Sequence, residues 1–269
     1  MQRIAIHSVP RSGSTWLGEI FNSHPGVIYK YQPLFSYAFK GRLNEHSTYE
    51  DIVRFYEEIA QSKDDFINQT QARQEGKLPV FRKDENPVAV AYKEVRYHYI
   101  LENLLQKDPS IKVVGLVRNP MAVIYSWLTA PKEFRKDLGW NAMEEWRFAP
   151  KKNLCKAEEY NGFEKWKEVT RIFLRLQKEY PDNFMLIRYD KLMKDTEDTV
   201  IRMFDFCHLA FHENTKQFLL ESQQKNNPDK YSVFKKKDRD DEWKDKLDQK
   251  IIKEIEKDLK DSELSVFLT

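Results

Sequence analysis

The sequence predicts a single α/β domain over residues 1–269, with a central parallel sheet flanked by helices. Three observations predict it. Short apolar runs that read as buried strands alternate with longer segments of helical periodicity, the order that builds a parallel sheet covered on both faces. No repeat, low-complexity stretch or linker divides the 269 residues, a length within reach of one domain. The two most distinctive turns, 11–15 and 118–119, each follow an apolar run, and ligands of such sheets sit beyond the carboxyl ends of strands.

The first strand covers residues 4–9 and is too apolar for an edge. Pro10-Arg11-Ser12-Gly13-Ser14-Thr15 turns it into a helix. There Trp16, Leu17, Ile20 and Phe21 recur at helical spacing until His24-Pro25-Gly26 stops the pattern. A second helix fits 48–61, with Ile52, Phe55, Tyr56 and Ile59 on one face and Thr48 as N-cap. Residues 62–87 are polar and turn-rich and read as a surface excursion. A short buried strand follows over 88–93, then a helix over 97–106 that Asp108-Pro109 ends. Residues 111–117, Ile-Lys-Val-Val-Gly-Leu-Val, are the clearest strand; they end at Arg118-Asn119-Pro120, and a helix restarts over 121–129. Residues 130–161 carry no assignable pattern. A long amphipathic helix over 162–180 carries Phe163, Trp166, Val169, Ile172, Phe173 and Leu176. A strand over 184–188 and a helix over 196–206 come next. The tail, 240–259, reads as one charged helix with Trp243, Leu247, Ile251, Ile255 and Leu259 in a stripe.

Composition narrows the function. No run approaches the roughly 18 apolar residues of a membrane helix, so an integral membrane protein is excluded. The amino terminus lacks the pattern of a secretory signal, and the expected location is the cytoplasm. Forty-five Lys and Arg face 43 Asp and Glu, a net charge of +2, which argues against a global basic field for coating nucleic acid. Cys155 and Cys207 match no metal spacing, the six histidines are scattered, and no metal site is expected. No pattern specifies an oligomeric state.

The first turn is an anion site by construction. Gly13 tightens it, Ser12, Ser14 and Thr15 supply hydroxyls, and the free amides and dipole of the helix N-terminus favour negative charge. Arg11 adds a permanent cation. A capped helix start beside an unrelated arginine is the plainer alternative. A nucleoside triphosphate loop needs Gly-x-x-x-x-Gly-Lys-Ser/Thr; here there is one glycine and no lysine. Such a site also needs magnesium, often held by an Asp at a neighbouring strand end. The strand 111–117 ends instead in Arg118, which repels a metal and attracts a second anion. Two anion sites and no evident metal ligand suggest a nucleotide with phosphates at both ends of its ribose.

Pro10-Arg11-Ser12-Gly13-Ser14-Thr15-Trp16-Leu17 resembles the 5′-phosphosulfate loop of sulfotransferases that use 3′-phosphoadenosine 5′-phosphosulfate (PAPS). Arg118-Asn119-Pro120-Met121-Ala122-Val123-Ile124-Tyr125-Ser126 resembles their 3′-phosphate motif, an Arg at a strand end and a Ser eight residues later. Ile187-Arg188-Tyr189-Asp190-Lys191-Leu192 is similar to the family's Tyr-Glu-Asp-like segment. Tyr231-Ser232-Val233-Phe234-Lys235 is similar to its last cofactor segment. The resemblance is to a soluble, bacterial-like member. It implies a P-loop-like sulfotransferase fold, PAPS as donor without a metal, and a hydroxyl acceptor, with a carbohydrate or glycolipid leading over other small molecules. On this resemblance Arg11, Ser12, Gly13, Ser14 and Thr15 hold the 5′-phosphate and sulfate. Trp16 lies near the adenine, its alternative being a core position of the helix. Arg118 and Ser126 hold the 3′-phosphate, and Tyr189 reaches the adenosine. Lys235 and Lys236 close over the 3′-phosphate or form a solvated charge run.

Sulfuryl transfer is an in-line displacement at sulfur, and charge grows on the oxygen that leaves with the 5′-phosphate. A fixed cation aimed there supplies the main stabilisation, a role that suits Arg11. A hydroxyl acceptor also benefits from a base. Many carbohydrate and tyrosine sulfotransferases carry a Glu shortly after the first helix, but Gln32 stands here and takes no proton at neutral pH. Other members use a His on the strand before the 3′-phosphate motif. The matching region, 91–98, offers Glu94 as first candidate base and His98 as second; an ion pair with Lys93 or Arg96 is the alternative for Glu94. His7, inside the first strand, reads as a satisfied buried histidine. Trp127, Trp140, Trp146, Tyr160 and Trp166 suit either sugar platforms or core packing. Two rival readings stand: a nucleotide or small-molecule kinase, and a non-catalytic nucleotide-binding protein that lost its base, to which Gln32 lends weight.

Overall fold

Five parallel strands pair in the order β2-β3-β1-β4-β5: β1 (Gln2–Ser8), β2 (Val27–Tyr31), β3 (Ala89–Glu94), β4 (Lys112–Val117) and β5 (Phe184–Arg188). The computed structural model describes residues 1–225, 232–234 and 240–268. β1 lies at the centre, with Ile4, Ala5 and Ile6 fully buried. In register, His7 stands beside Glu94 on one side and Gly115 on the other. The chain adds β2 and β3 on one flank of β1 and β4 and β5 on the other. The strand order therefore reverses at β1, and the crevice beyond its carboxyl end is where such a sheet binds ligands.

Strand periodicity separates two cores. Ala5, Val90, Tyr92, Val113 and Val117 face one layer; Ile4, Ile6, Ala89, Ala91, Val114 and Leu116 face the other. The first layer holds α2 (Tyr49–Gln61), α5 (Leu101–Lys107), α6 (Pro120–Leu128), α9 (Phe163–Glu179) and α14 (Gln249–Leu259). The second holds α1 (Ser14–Ser23), α11 (Thr196–Phe206) and α12 (Glu213–Gln224). Each fully buried Leu, Ile or Phe in these layers contributes about 1.5–3 kcal/mol of transfer free energy. Among the described residues no helix is long and apolar enough to cross a membrane.

The predicted class and most of its elements match the structure, with five corrections. The sequence pattern does not predict β2. It is a five-residue edge whose Lys30 looks polar but turns inward, its ammonium donating to the Ser62 carbonyl at 2.9 Å and Asn68 Oδ1 at 2.7 Å. The excursion 62–87 contains two short helices, α3 (Asp65–Asn68), which Asp64 caps, and α4 (Thr70–Gln74). Within 130–161 lie α7 (Ala142–Glu145) and α8 (Pro150–Asn153). The tail is not one helix: α13 (Trp243–Lys246) stops, and Asp248 accepts from the Lys250 amide to start α14. The cap outcompetes continuous helix despite the unbroken apolar stripe. After β5 the chain coils at once into α10 (Tyr189–Lys194).

Candidate active site

The loop after β1, the turn after β4, the end of β3 and the start of α10 open onto one cavity of about 690 Å³. The sheet places them there because all four follow the carboxyl ends of strands. Arg11 (φ 68°) and Gly13 (φ 89°) both lie in the left-handed region, which folds the loop back over the N-terminus of α1. A Cβ on Gly13 would run into the ring of Tyr189, so the close approach of loop and ring requires glycine. No side chain caps α1 and no acid sits in its first turn. Ser12 Oγ is buried and, among the described residues, has no hydrogen-bond partner.

Two arginines join the loops. Arg11 Nε donates to Ser126 Oγ at 3.1 Å, and Arg11 Nη1 pairs with Glu133 Oε1 at 3.2 Å. Arg118 Nη1 donates to the Arg11 carbonyl at 2.7 Å, and Arg118 Nε to Asp240 Oδ2 at 2.6 Å, with a second ion-pair contact from Nη2 to Oδ1. Burial disfavours the Arg118 charge, but the Asp240 carboxylate outweighs burial and raises its pKa. The guanidinium lies 5.0 Å from the centroid of the Tyr189 ring, and Trp166 Nε1 donates to the Arg118 carbonyl at 2.9 Å. Asn119 caps α6 by accepting from the Met121 amide at 2.8 Å, and Pro120 opens the helix. That helix carries Ser126 back to the cavity.

Arg11, Gly13, Ser14, Thr15, Trp16, Arg118, Ser126 and Tyr189 all line this cavity. Ser12 packs beneath it, fully buried. Trp16 Nε1 donates to Ser222 Oγ at 3.0 Å, and its ring meets Tyr189 edge-on. Ser126 is tied to Arg11 rather than to Arg118. Lys235 and Lys236 lie outside the described residues.

The two candidate bases are not brought to the cavity. Glu94 is fully buried; its Oε1 accepts from the Leu34 amide at 2.8 Å, and burial pushes its carboxyl pKa up. His98, 1% exposed, packs 4.5 Å from the Tyr160 ring centroid, and its Nδ1 lies 3.1 Å from His7 Nδ1. Burial lowers both imidazole pKa values, that of His7 to about 3. His7 is satisfied as expected, with Tyr92 Oη 3.4 Å from its Nε2.

Strand alternation explains the correction. Glu94 turns to the face of Val90 and Tyr92, while Lys93 turns to the face of Ala91 and into the cavity. Lys93 is 2% exposed, with Nζ 4.4 Å from the Tyr31 ring centroid. Burial lowers its pKa, Arg96 and Arg11 lower it further, and Glu94 and Glu133 oppose the shift. A charged residue in a buried strand was the signal that could have singled it out. Glu133, also missed, comes from the patternless stretch after α6. Gln32, at φ 43°, does line the cavity, its Oε1 accepting from Arg96 Nη1 at 3.1 Å.

The aromatic cluster of the middle segment is not a platform. Trp127, Trp146, Tyr160 and Trp166 are buried in the core, and Trp140 packs against it. The aromatic lining is instead Trp16, Tyr31, Phe35, Phe66 and Tyr189. Among the described residues no cluster of three or more His, Cys, Asp or Glu is placed to hold a metal ion.

A family model described as a sulfotransferase domain matches residues 1–264. Carbohydrate sulfotransferase 7 of Mus musculus and its namesake in Rattus norvegicus are each 52% identical over 33 residues. That stretch is 12% of this chain and spans only 7% of either relative. Among solved structures, mouse sulfotransferase SULT7A1 complexed with PAP has a TM-score of 0.53 at 14% identity, covering 99% of this chain and 88% of that one. Retinol dehydratase in complex with retinol and PAP has a TM-score of 0.55 at 17% identity, covering 97% and 82%. At these identities the likeness is one of fold.

Proposed function

The chain belongs to the sulfotransferase family, and from that premise we propose that it moves a sulfuryl group from PAPS to a hydroxyl acceptor. The observation that carries the proposal is the joining of two anion-binding turns in one cavity. Arg11 Nε reaches Ser126 Oγ at 3.1 Å, and Arg118 Nη1 reaches the Arg11 carbonyl at 2.7 Å. The residues fit an anionic nucleotide: an uncapped helix start, the buried unpartnered Ser12 Oγ, and the cations Arg11, Lys93 and Arg118.

The bound donor supplies the sulfuryl group and a 5′-phosphate oxygen that leaves with the bond pair. Arg11 and the first amides of α1 neutralise the charge that grows on that oxygen. Lys93, buried on the adjoining wall, adds a cation whose charge an incoming polyanion favours. Arg118, Ser126 and Tyr189 bind the 3′-phosphate and adenosine side. Trp16 closes the adenine side through its bond to Ser222.

The acceptor belongs to the carbohydrate or glycolipid class on this reading. Tyr31, Phe35 and Phe66 give flat apolar faces, and Gln32, Gln69 and Gln71 beside them give amides for hydroxyl groups. The short match to carbohydrate sulfotransferase 7 supports the same class. The cytoplasm is the proposed location, which suits the two thiols Cys155 and Cys207. Incubation with sulfur-labelled PAPS and panels of sugars, glycolipids and phenols tests the proposal. Label is expected on a sugar hydroxyl. Label on phenols alone overturns the acceptor class, and label on nothing overturns the transfer.

A further inference from the structure

Neither residue expected to act as base reaches the cavity, yet the structure brings a carboxylate to it. Glu133 sits in the turn after α6. Its amide donates to the Ala130 carbonyl at 2.9 Å, the Phe134 amide donates to the same oxygen at 2.8 Å, and the Phe134 ring packs 5.4 Å from Trp127 in the core. A buried aromatic anchor thus holds the turn. The Glu133 side chain is 24% exposed and lines the cavity. Its Oε1 is 3.2 Å from Arg11 Nη1, and its charge also acts on Lys93 and Tyr31. Glu75 is the other carboxylate among the described lining residues; it is engaged by Lys77 at 2.5 Å and by Gln71 at 2.8 Å. No histidine is among those lining residues.

We propose that Glu133 is the general base that accepts the proton of the acceptor hydroxyl. The inference rests on the sulfuryl-transfer reading above. With Arg11 on the leaving oxygen, an in-line acceptor lies across the sulfur from it. Reacting atoms in such an arrangement stand about 3–3.5 Å apart. A base must lie about 2.6–3.2 Å from the hydroxyl it deprotonates. Glu133, 3.2 Å from Arg11 Nη1 and on the cavity wall that also carries Lys93, is the carboxylate placed to reach a hydroxyl that meets both requirements. In the step, the acceptor O–H bond breaks and its proton passes to a Glu133 oxygen. The freed pair forms the new O–S bond. The S–O bond to the 5′-phosphate breaks, and its pair stays on the phosphate oxygen beside Arg11. Glu133 then returns the proton to water. The products are a sulfate ester, 3′,5′-bisphosphoadenosine and one proton.

Single-turnover rates of wild type and Glu133→Gln test this with a sugar alcohol acceptor and with a nitrophenol, whose hydroxyl ionises without help. The alcohol rate is expected to fall about 100- to 10,000-fold, the usual contribution of a positioned base. The nitrophenol rate is expected to fall far less than the alcohol rate, and Glu133→Asp is expected to recover part of the alcohol rate. Near-normal alcohol turnover, or an equal loss on both acceptors, overturns the base role; the second result makes Glu133 a positioning residue for Arg11. Wild type that transfers to no hydroxyl refutes the functional reading instead.

Discussion

Asp240 grips Arg118 from two sides, Nε to Oδ2 at 2.6 Å and Nη2 to Oδ1, at the strand end proposed for the 3′-phosphate. The remaining terminal nitrogen, Nη1, is spent on the Arg11 carbonyl. A carboxylate in that bidentate position has the charge and donor geometry that a phosphate would use. On the proposed reading, nucleotide binding displaces or shares Asp240. Asp240→Asn is expected to tighten 3′,5′-bisphosphoadenosine by about tenfold, or about 1.4 kcal/mol, and to leave adenosine 5′-monophosphate nearly unchanged. Calorimetry on both nucleotides decides it. Weaker binding of the bisphosphate would mean that Asp240 supports the site rather than competing for it.

Arg118→Ala addresses the same subsite from the other side. Wild type is expected to prefer 3′,5′-bisphosphoadenosine over adenosine 5′-monophosphate, because a hydrogen bond to a charged group contributes about 1.5–3 kcal/mol. The variant is expected to lose most of that preference. Equal affinities in wild type, or a preference that survives the substitution, would remove Arg118 from the 3′-phosphate.

Arg11→Ala is expected to slow the chemical step more than it weakens product binding. On the proposed reading its contact strengthens as charge develops on the leaving oxygen. Loss of one such donor costs about 100- to 1000-fold in rate. Single-turnover rates and bisphosphate affinity, measured together, separate the two effects. Equal losses would make Arg11 a binding residue alone.

The turns at 11–15 and 118–126 were legible because their chemistry is local. Each couples a strand end to a helix start within a few residues, and the first adds Gly13. What was illegible depends on which way a side chain faces. The region 91–98 was the right neighbourhood, but a single step along β3 sends Glu94 to the Leu34 amide and Lys93 to the cavity. In sequence, Lys93 stands out only as an ion-pair partner for Glu94. Glu133 was hidden in a stretch without periodicity, where position comes from Phe134 packing on Trp127 rather than from any repeat. The break before α14 shows the same limit: the stripe from Trp243 to Leu259 predicts continuous helix, and one Asp248 cap overrides it. The aromatic middle segment was open to both platform and core, and burial assigns it to the core.

Transfer is expected to proceed in the presence of a chelator. Arg118 occupies the strand end where a metal-holding acid stands in nucleoside triphosphate enzymes, and Lys93 and Arg11 supply positive charge nearby. A chelator titration of the labelled-donor assay checks this. Complete loss, restored by magnesium, would favour a kinase-like enzyme.

The buried histidine pair makes stability depend on pH. His7 and His98 meet at 3.1 Å through their Nδ1 atoms, so one imidazole must donate and the other accept. Burial is the first cause that lowers both pKa values; Lys93 adds to it at His7, and His7 adds to it at His98. In the unfolded chain each imidazole titrates near 6.5. Below that pH the unfolded state binds protons that the folded state refuses, so folding stability falls as pH falls. For His7 the window runs from about 6.5 down to about 3. Well inside it, each refused proton costs about 1.4 kcal/mol per pH unit. Glu94 runs the other way, because burial raises its folded pKa and the folded state there holds the extra proton. Comparing wild type with His98→Phe cancels the Glu94 contribution, since both proteins carry it. Phenylalanine suits a site already lined by Tyr160 and Phe173, although it gives up the bond to His7. Urea unfolding at several pH values from 7.5 to 5 reads the slope directly. Wild type is expected to lose stability with falling pH more steeply than the variant, by about 1.4 kcal/mol per pH unit once below 6. Parallel curves would mean that His98 takes up a proton in the folded state, and that the pair is not the neutral, donor-to-acceptor contact its burial implies.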